Sequence, residues 1–170
     1  MKLSISRSSI LTALVAAVLL AALPGAVRRY MQTRDPYLFS VQFFQDMIAR
    51  FSGPGRLRFI MQPAVALFLG MRDGKSDARM GRPPFLSALM FHAAHRPALL
   101  RSAFESIREL VLIAILLDII AQFLIFRDIH PGAALLLGPM LISVPYALSR
   151  ALANRIASRP TQRAPVVHPR

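Results

Sequence analysis

The sequence predicts an all-α, multi-pass helical membrane protein, and three observations support this fold class. Hydrophobic residues make up 55% of the 170 residues, and the mean hydropathy is +0.48, above that of an ordinary soluble domain. The apolar residues are concentrated in blocks that arginine-rich connections separate. Amphipathic stretches suited to a membrane interface lie between them. We expect three or four apolar helical blocks, at residues 8–23, 57–71, 110–126 and 133–148.

The chain is strongly basic. It contains 21 Lys and Arg against 8 Asp and Glu, a formal net charge of +13. No nucleic-acid-binding motif accompanies this charge, so we expect the basic segments to lie on anionic lipid headgroups and not on nucleic acid. The absence of Cys excludes disulfides and thiolate-bound metals, and we expect no cofactor. One helical membrane domain is predicted for residues 1–158, followed by a disordered basic tail at 159–170.

The first apolar block, residues 8–23, has two interpretations. A positive start, a short apolar core and small residues near its end are typical of a cleaved signal peptide. Arg28 and Arg29 follow at once, and basic residues there hinder export, so we favour an uncleaved transmembrane helix. The block also carries a small-residue face that suits close helix packing, although alanine is common in such segments anyway. This face consists of Ala13, Ala17 and Ala21.

Residues 39–51 form an amphipathic helical pattern with a Phe-rich stripe on one face. The stripe consists of Phe39, Phe43, Phe44, Met47, Ile48 and Phe51, and the polar face consists of Gln42, Gln45, Asp46 and Arg50. Asp46 and Arg50 are spaced for an i,i+4 ion pair. The stripe either lies in the membrane interface or packs on other helices as core, and the sequence leaves both possibilities open.

The block at 57–71 is ambiguous. Its fully apolar part, residues 64–71, is far shorter than the roughly 20 residues that a membrane helix needs. The block therefore either crosses the membrane or forms a re-entrant turn, and Pro63 predicts a kink or a helix start within it. Residues 72–84 are rich in Gly, Pro and charge, and we expect a polar loop there.

The second half of the chain predicts a long helix followed by a helical hairpin. Residues 85–95 form a short amphipathic piece. Pro97 is well placed as the first residue of a helix, which we expect to continue to Phe126. A tight connection at 127–132 leads into the last block, 133–148, whose prolines are tolerated where neighbouring helices satisfy the freed carbonyls.

Two arrangements in the membrane remain open. The hairpin places residues 72–109 and the C-terminal tail on one side, and their basic residues predict that this side is cytoplasmic. If 57–71 spans, the N-terminus is also inside and six arginines face outward. These are Arg28, Arg29, Arg34, Arg50, Arg56 and Arg58. If 57–71 is re-entrant, the N-terminus is outside and 18 of the 21 basic residues face inward, which the charge distribution favours.

Asp118 is the most informative polar residue, because it lies near the centre of the apolar segment 110–126. A carboxylate in hydrocarbon costs several kcal/mol, so it should face the bundle interior and find a donor. The candidate partners are Gln122, Gln62, Ser143 and Tyr146. A functional interpretation is a proton or ion relay, or a polar pocket. We favour a hydrogen bond that packs two helices, with Asp118 kept neutral by desolvation.

A second polar motif, DGKSDAR, occupies residues 73–79. Its two acids, Asp73 and Asp77, could hold a divalent cation beside a lipid phosphate. The motif is similar to the Asp-Gly-x-x-Ala-Arg motif of CDP-alcohol phosphatidyltransferases. It has one residue too many before Ala78 and Arg79, and the later paired acids of that family are absent. We therefore favour an Asp-Gly turn with solvated charges.

Other patterns of catalytic residues are weak in this sequence. His92 and His95 are three apart and could bind a metal, but no third ligand is close in sequence, so we expect an interfacial pair and no metal site. The chain has no nucleophile elbow and no phosphate-cradling glycine loop. The sequence therefore favours a protein that is not an enzyme.

The polar motifs of the second half resemble those of a group of small, uncharacterised bacterial integral membrane proteins. They are Asp-Gly…Asp-Ala-Arg…Pro-Pro-Phe at 73–85, Leu-Asp…Gln at 117–122 and Pro-Tyr…Arg…Asn-Arg at 145–155. The resemblance covers about residues 57–156 and implies a bacterial membrane protein without implying a reaction. It favours one polar site, formed by Asp73, Asp77, Arg79, Asp118, Gln122, Arg150 and Arg155.

Three functions follow as hypotheses. The leading one is a scaffold or partner subunit of a membrane complex, or a homo-oligomer, in the bacterial inner membrane with its C-terminus in the cytoplasm. A lipid-headgroup-binding protein or lipid-modifying enzyme would use Asp73, Asp77 and Arg79. A small proton- or ion-coupled carrier would use Asp118.

Overall fold

The computed structural model describes residues 6–158. Six α-helices and one short 3₁₀ helix make up this part of the chain, and no strand occurs in it, so the all-α prediction is confirmed. The helices are α1 (Arg7–Thr33), α2 (Val41–Ser52), α3 (Arg58–Arg79), α4 (Phe85–Phe91), α5 (Arg96–Phe126) and α6 (Pro131–Ala157), and the 3₁₀ helix is Ala93–His95. The predicted tail at 159–170 lies outside the described residues.

Three helices, α1, α5 and α6, are long and apolar enough to cross a membrane. α1 begins after Ser6, whose Oγ accepts the N–H of Ser9 at 3.2 Å as an N-cap. It continues through Pro24 and ends at Arg34, which adopts a left-handed φ of 57°. α1 and α6 both extend well beyond the predicted blocks, and the internal prolines Pro24, Pro139 and Pro145 interrupt neither helix. α5 confirms the predicted long helix.

α3 is one continuous helix from Arg58 to Arg79. Of the two interpretations of 57–71, the re-entrant turn is therefore excluded, and the prediction of a polar loop that starts at residue 72 is wrong. The Asp73-Gly74 pair is helical, so the predicted Asp-Gly turn is wrong too. The helix begins before Pro63, which excludes a helix start at that proline.

Two glycines let the polar end of α3 pack closely on α6. A Cβ atom at Gly70 would overlap the Oγ of Ser149 and the carbonyl oxygen of Tyr146. A Cβ atom at Gly74 would overlap the carbonyl oxygen of Arg150. Because glycine has no Cβ, the backbones of α3 and α6 can approach closely here. The same contacts show that α3 runs parallel to α6.

The four long helices alternate in direction. α5 and α6 form the antiparallel hairpin, and α1 runs parallel to α5, since Val15 packs in one apolar cluster with Ile115 while Arg29 pairs with Asp128. We call the end of the bundle with the 127–130 connection the hairpin end. The opposite end, where α1 begins and α3 and α6 finish, is the terminal end.

The apolar core lies where α3, α4, α5 and α6 meet. It includes Ala66 of α3, Phe85 of α4, Ile107 of α5 and Ile142 of α6. A smaller apolar cluster joins α1 to the hairpin around Val15. α1 is therefore attached to the rest of the bundle along a narrow strip of its surface.

α2 has its polar face turned inward at one important position. Arg50 is only 1% exposed, whereas Phe44 and Ile48 are 55% and 71% exposed. Phe43 is the one residue of the predicted Phe-rich stripe that is fully buried, so the stripe does not pack as core. The predicted Asp46–Arg50 ion pair is replaced by other partners, because Arg50 reaches into the bundle.

Candidate functional site: two buried polar clusters

The first cluster surrounds Asp118 in the hairpin-end half of the bundle, and we call it the Asp118 cluster. The Nη2 of Arg58 donates to the Oδ1 of Asp118 at 2.6 Å, and its Nη1 donates to the Leu117 carbonyl at 2.8 Å. The Nη1 of Arg50 lies 3.7 Å from the Oδ2 of Asp118. Gln122 donates to the same oxygen at 2.7 Å. The side chains of both arginines and of Asp118 are at most 6% exposed.

The geometry around Asp118 is that of a paired charge. Of the predicted partners, Gln122 is confirmed, whereas Ser143 and Tyr146 do not bond to Asp118. Gln62 is buried, and its Nε2 has no hydrogen-bond partner. The Arg58–Asp118 hydrogen bond joins α3 to α5, as we expected of a bond that packs two helices, and its donor is a guanidinium group that was not among the predicted partners. Arg58 and Asp118 lie in a buried ion pair, which needs its hydrogen-bond partners to offset desolvation.

The Asp118 cluster extends to the connections at the hairpin end. The Oε1 of Gln122 accepts the backbone N–H of His130 at 2.6 Å. The ring of Tyr37 stacks on His130 with 3.6 Å between centroids, and its hydroxyl donates to Asp46 at 2.7 Å. Burial, followed by the charge of Arg29, lowers the pKa of His130 to about 4, so the imidazole is neutral at physiological pH.

Several buried polar nitrogens of this region have no hydrogen-bond partner. They are the Nε and Nη1 of Arg50, the Nδ1 of His130 and the Nε2 of Gln62, although Arg50 is still within ion-pair distance of Asp118. Buried polar atoms without partners are costly, and ordered water commonly satisfies them. The Asp118 cluster is thus only partly satisfied by the protein itself.

The second cluster surrounds Asp77 near the terminal end, and we call it the Asp77 cluster. Arg150 donates to Asp77 through both Nε, at 2.6 Å, and Nη2, at 3.1 Å, which is the bidentate geometry that favours Arg over Lys. Its Nη1 donates to the Tyr146 hydroxyl at 2.8 Å, and its Nη2 also reaches the Ser102 hydroxyl at 3.3 Å. Arg82 lies 3.4 Å from Asp77.

Asp73 belongs to the Asp77 cluster through Tyr146. Its Oδ2 accepts the Tyr146 hydroxyl at 2.8 Å and the Ser106 hydroxyl at 2.6 Å, while its Oδ1 accepts the Nε of Arg72 at 3.2 Å. Both acids of the DGKSDAR motif are therefore bonded within the protein. Among the residues whose side chains the structure describes, which do not include residue 95, no group of three potential His, Cys, Asp or Glu ligands is placed to hold a metal ion.

The seven residues predicted as one site lie in different places. Asp73, Asp77 and Arg150 meet in one cluster, and Asp118 and Gln122 meet in the other. Arg79 and Arg155 are exposed and belong to neither. Twelve residues of α5 separate Ser106 from Asp118, which is about 18 Å along the helix axis. The two clusters are therefore separate sites on one scaffold.

Sequence reasoning missed the cationic partners of Asp118 and the hydroxyl groups around Asp73. The missed residues are Arg50, Arg58, Arg82, Ser102 and Ser106, together with the role of Tyr146. One signal was available: Arg58 and Gln62 are spaced i,i+4 on α3, as Asp118 and Gln122 are on α5, so each helix presents a polar pair on one face. For Arg50 no signal was available, because it lies on the polar face of an amphipathic helix.

Comparison with known proteins returned no match, neither to a protein-family model, nor to a curated protein, nor to a solved structure. The resemblance to small bacterial membrane proteins stays a prediction. What the fold and the site define is a class: an all-α protein with three helices of membrane-spanning character and two buried polar clusters.

Proposed function

We propose that the protein is a scaffold or partner subunit of a membrane complex in the bacterial inner membrane, and that it is not an enzyme. The observation that carries this proposal is that the buried carboxylates of both clusters are bonded to side chains of the same chain. A catalytic acid or a proton carrier must be able to exchange its proton with a substrate or with solvent. Asp77 and Asp118 instead each connect helices to one another.

The surface of α1 supports a partner. Val15 is the one residue of this 27-residue helix that is fully buried. The mean hydropathy of α1 is nevertheless as high as that of α5. The small-residue face formed by Ala13, Ala17 and Ala21 points away from the bundle, since all three are exposed. Small residues allow close approach of a second helix in a membrane.

The charge distribution supports a cytoplasmic terminal end. Among residues 6–158, ten basic and four acidic residues lie towards the terminal end, against seven basic and four acidic residues towards the hairpin end. Three arginines at the hairpin end would disfavour an orientation with this end outside the cell. Each of them is paired with an acid, Arg29 with Asp128, and Arg50 and Arg58 with Asp118. By the positive-inside rule, this distribution supports a C-terminus in the cytoplasm.

The partner proposal is tested by native mass spectrometry of the full chain extracted in a mild detergent. We expect a complex larger than the 18.8 kDa chain. Ala17→Ile should remove the partner, because the added methyl groups obstruct close helix approach. Ala16→Ile is the matched control, since Ala16 is also exposed on α1 but lies off the small-residue face. A lone monomer in the wild type under all mild conditions would contradict the proposal.

A lipid-headgroup function is a second candidate, because exposed basic residues surround the Asp77 cluster. Arg72, Lys75 and Arg79 lie on exposed positions at the end of α3, where they suit anionic headgroups. An enzyme of this kind would need Asp73 free for a cation, whereas Asp73 is bonded to Ser106 and Tyr146. An unchanged lipid composition in cells carrying Asp73→Asn would remove the enzyme candidate.

The carrier hypothesis has the least support. A proton carrier would require Asp118 to exchange a proton with solvent, whereas both of its oxygens accept hydrogen bonds inside the protein, from Arg58 and from Gln122. Proton-coupled flux in liposomes that disappears with Asp118→Asn, while the variant stays folded, would restore this hypothesis.

A further inference from the structure

A cavity of about 760 Å³ opens at the hairpin end of the bundle. The end of α1, the connection at 34–40 and the first residues of α2 and α6 form its wall. Because membrane-spanning helices end or begin here, the cavity lies at the depth of lipid headgroups. It is at the opposite end of the molecule from the DGKSDAR motif, and the proposed scaffold function does not use it.

Two helix N-termini meet at this cavity. The backbone N–H groups of Val41 and Gln42 in α2 and of Gly132 in α6 belong to the first turns, where a helix supplies no acceptor. Ser40 caps only the N–H of Phe43, and α6 has no side-chain cap. Each N-terminus carries about half a positive charge, so together they favour an anion such as a phosphate group.

The wall of the cavity carries charged side chains of both signs. Arg29 pairs with Asp128 and donates to the Ile129 carbonyl at 2.8 Å, which leaves further guanidinium N–H groups available. Asp35 is exposed on the same wall and provides a carboxylate for an amine. The wall therefore combines donors for a phosphate with an acceptor for a cationic group.

A buried side chain on the wall points to an occupant independently of the helix ends. His130 lines the cavity and is only 9% exposed, and its Nδ1 has no hydrogen-bond partner. A stacked Tyr37 ring fixes the imidazole. An unpaired buried nitrogen costs about 1–3 kcal/mol. Because the surface of this nitrogen is itself almost inaccessible, a bound polar group would offset that cost only together with a small shift of the ring towards the cavity.

We propose that this cavity binds the headgroup of a phospholipid. The phosphate lies against the N-termini of α2 and α6 and against Arg29, and an amine of the headgroup lies against Asp35. The tyrosine and phenylalanine side chains on the wall suit the same interfacial depth. The occupant is thus an amine-bearing phospholipid, and its site is independent of any protein partner at α1.

The test measures lipid retained by the full chain in native mass spectrometry, after exchange into detergent containing phosphatidylethanolamine. Gln42→Glu places a negative charge beside the proposed phosphate, at a helix position where a carboxylate does not harm the fold. We expect about fivefold less bound lipid, corresponding to about 1 kcal/mol of repulsion. Gln45→Glu is the matched control, because Gln45 is exposed on the same helix and does not line the cavity. It should retain the lipid.

A second pair of variants tests the cation. Arg29→Gln should also release the lipid, whereas Arg28→Gln should not, since Arg28 is exposed beside it and lies outside the cavity wall. Diacylglycerol, which lacks the phosphate, should not be retained. Equal retention by the two Gln→Glu variants, or retention of diacylglycerol, would overturn the proposal. Displacement of the lipid by millimolar inorganic phosphate would assign the cavity to a soluble phosphate compound and would overturn it too.

Discussion

The two polar clusters hold the same helix at its two ends, and they do so differently. In the Asp77 cluster, Arg150 bonds to Asp77, Tyr146 and Ser102, and none of the buried donors without a partner lies there. In the Asp118 cluster, two arginines share one carboxylate and several donors are left unpaired. One end is thus a completed network, and the other is an ion pair with an excess of donors.

The two clusters explain how α3 is held in the bundle. α3 lies along α6 but, unlike α1, α5 and α6, it does not have the hydropathy of a membrane span. Apolar transfer alone therefore does not determine its position. Its close glycine contacts with α6 and an ion pair near each end connect it to the hairpin. Loss of either ion pair should therefore lower the free energy of unfolding of the whole bundle.

The largest effect is expected at Asp118. Asp118→Asn leaves two buried guanidinium groups without their anion, and removing one partner of a buried pair costs about 3–5 kcal/mol. We expect a loss near 5 kcal/mol, measured by circular dichroism during SDS titration in mixed micelles. A change below 1 kcal/mol would show that Asp118 does not hold the bundle together.

A double variant separates the ion pair from the packing. Replacing a buried pair by apolar residues of similar volume is often neutral. Arg58→Leu with Asp118→Leu should therefore recover much of the stability that Asp118→Asn loses. A double variant less stable than Asp118→Asn would mean that the charges themselves are required.

A smaller loss is expected at the completed network. Asp77→Asn leaves one buried cation, Arg150, which keeps its bonds to Tyr146 and Ser102, so we expect a loss near 3 kcal/mol in the same titration. Glu105→Gln is the control, because Glu105 and Arg101 form an exposed i,i+4 pair that contributes less than about 0.5 kcal/mol. Equal effects of the two variants would contradict the structural role of Asp77.

The next largest effect on stability is expected where the glycines of α3 face α6. Gly70→Ala forces its new Cβ against Ser149 and the backbone of Tyr146, and overpacking costs about 1–3 kcal/mol. Gly25→Ala in α1 is the matched control, since nothing lies within 4 Å of its Cβ position. Of the two substitutions, only Gly70→Ala should lower the midpoint of thermal unfolding, measured by circular dichroism. A destabilised Gly25→Ala would instead indicate a general intolerance of helical substitutions.

The effect that is smallest at neutral pH is the contribution of His130 at the hairpin end, which appears only as the pH falls. The pKa of His130 is about 4 in the folded protein, against 6.5 for its ordinary value. The folded state therefore binds fewer protons than the unfolded state between these values. The stabilisation is present above pH 6.5 and is lost as the pH falls towards 4. His130→Gln should flatten the unfolding midpoint across this window, and an unchanged slope would contradict the burial of His130.

The sequence was sufficient for the helices whose hydropathy alone determines them. α5 and the hairpin followed from unbroken apolar residues and a short connection. α3 did not, because its last turns are polar and Asp73-Gly74 is typical of a turn. The close approach of this end to α6, where a Cβ on Gly74 would overlap the Arg150 carbonyl, involves residues far apart in sequence.

The candidate site was predictable in part for the same reason. Asp118 and Gln122 are visible because polar residues are unusual in an apolar helix, and Asp73, Asp77 and Arg150 stand out in the motifs. The division into two clusters depends on the direction of α3, which the sequence left open. Arg50 and Arg58 were counted as charges outside the membrane, whereas both are buried partners of Asp118.

The direction of α3 is tested most directly by labelling single cysteines with a membrane-impermeant maleimide in sealed vesicles. The chain contains no Cys, so Gln32→Cys at the end of α1 and Ser76→Cys near the end of α3 each provide one exposed reporter. Because α3 runs from the hairpin end to the terminal end, the two positions should be labelled from opposite sides of the membrane. Labelling of both from the same side would contradict the arrangement.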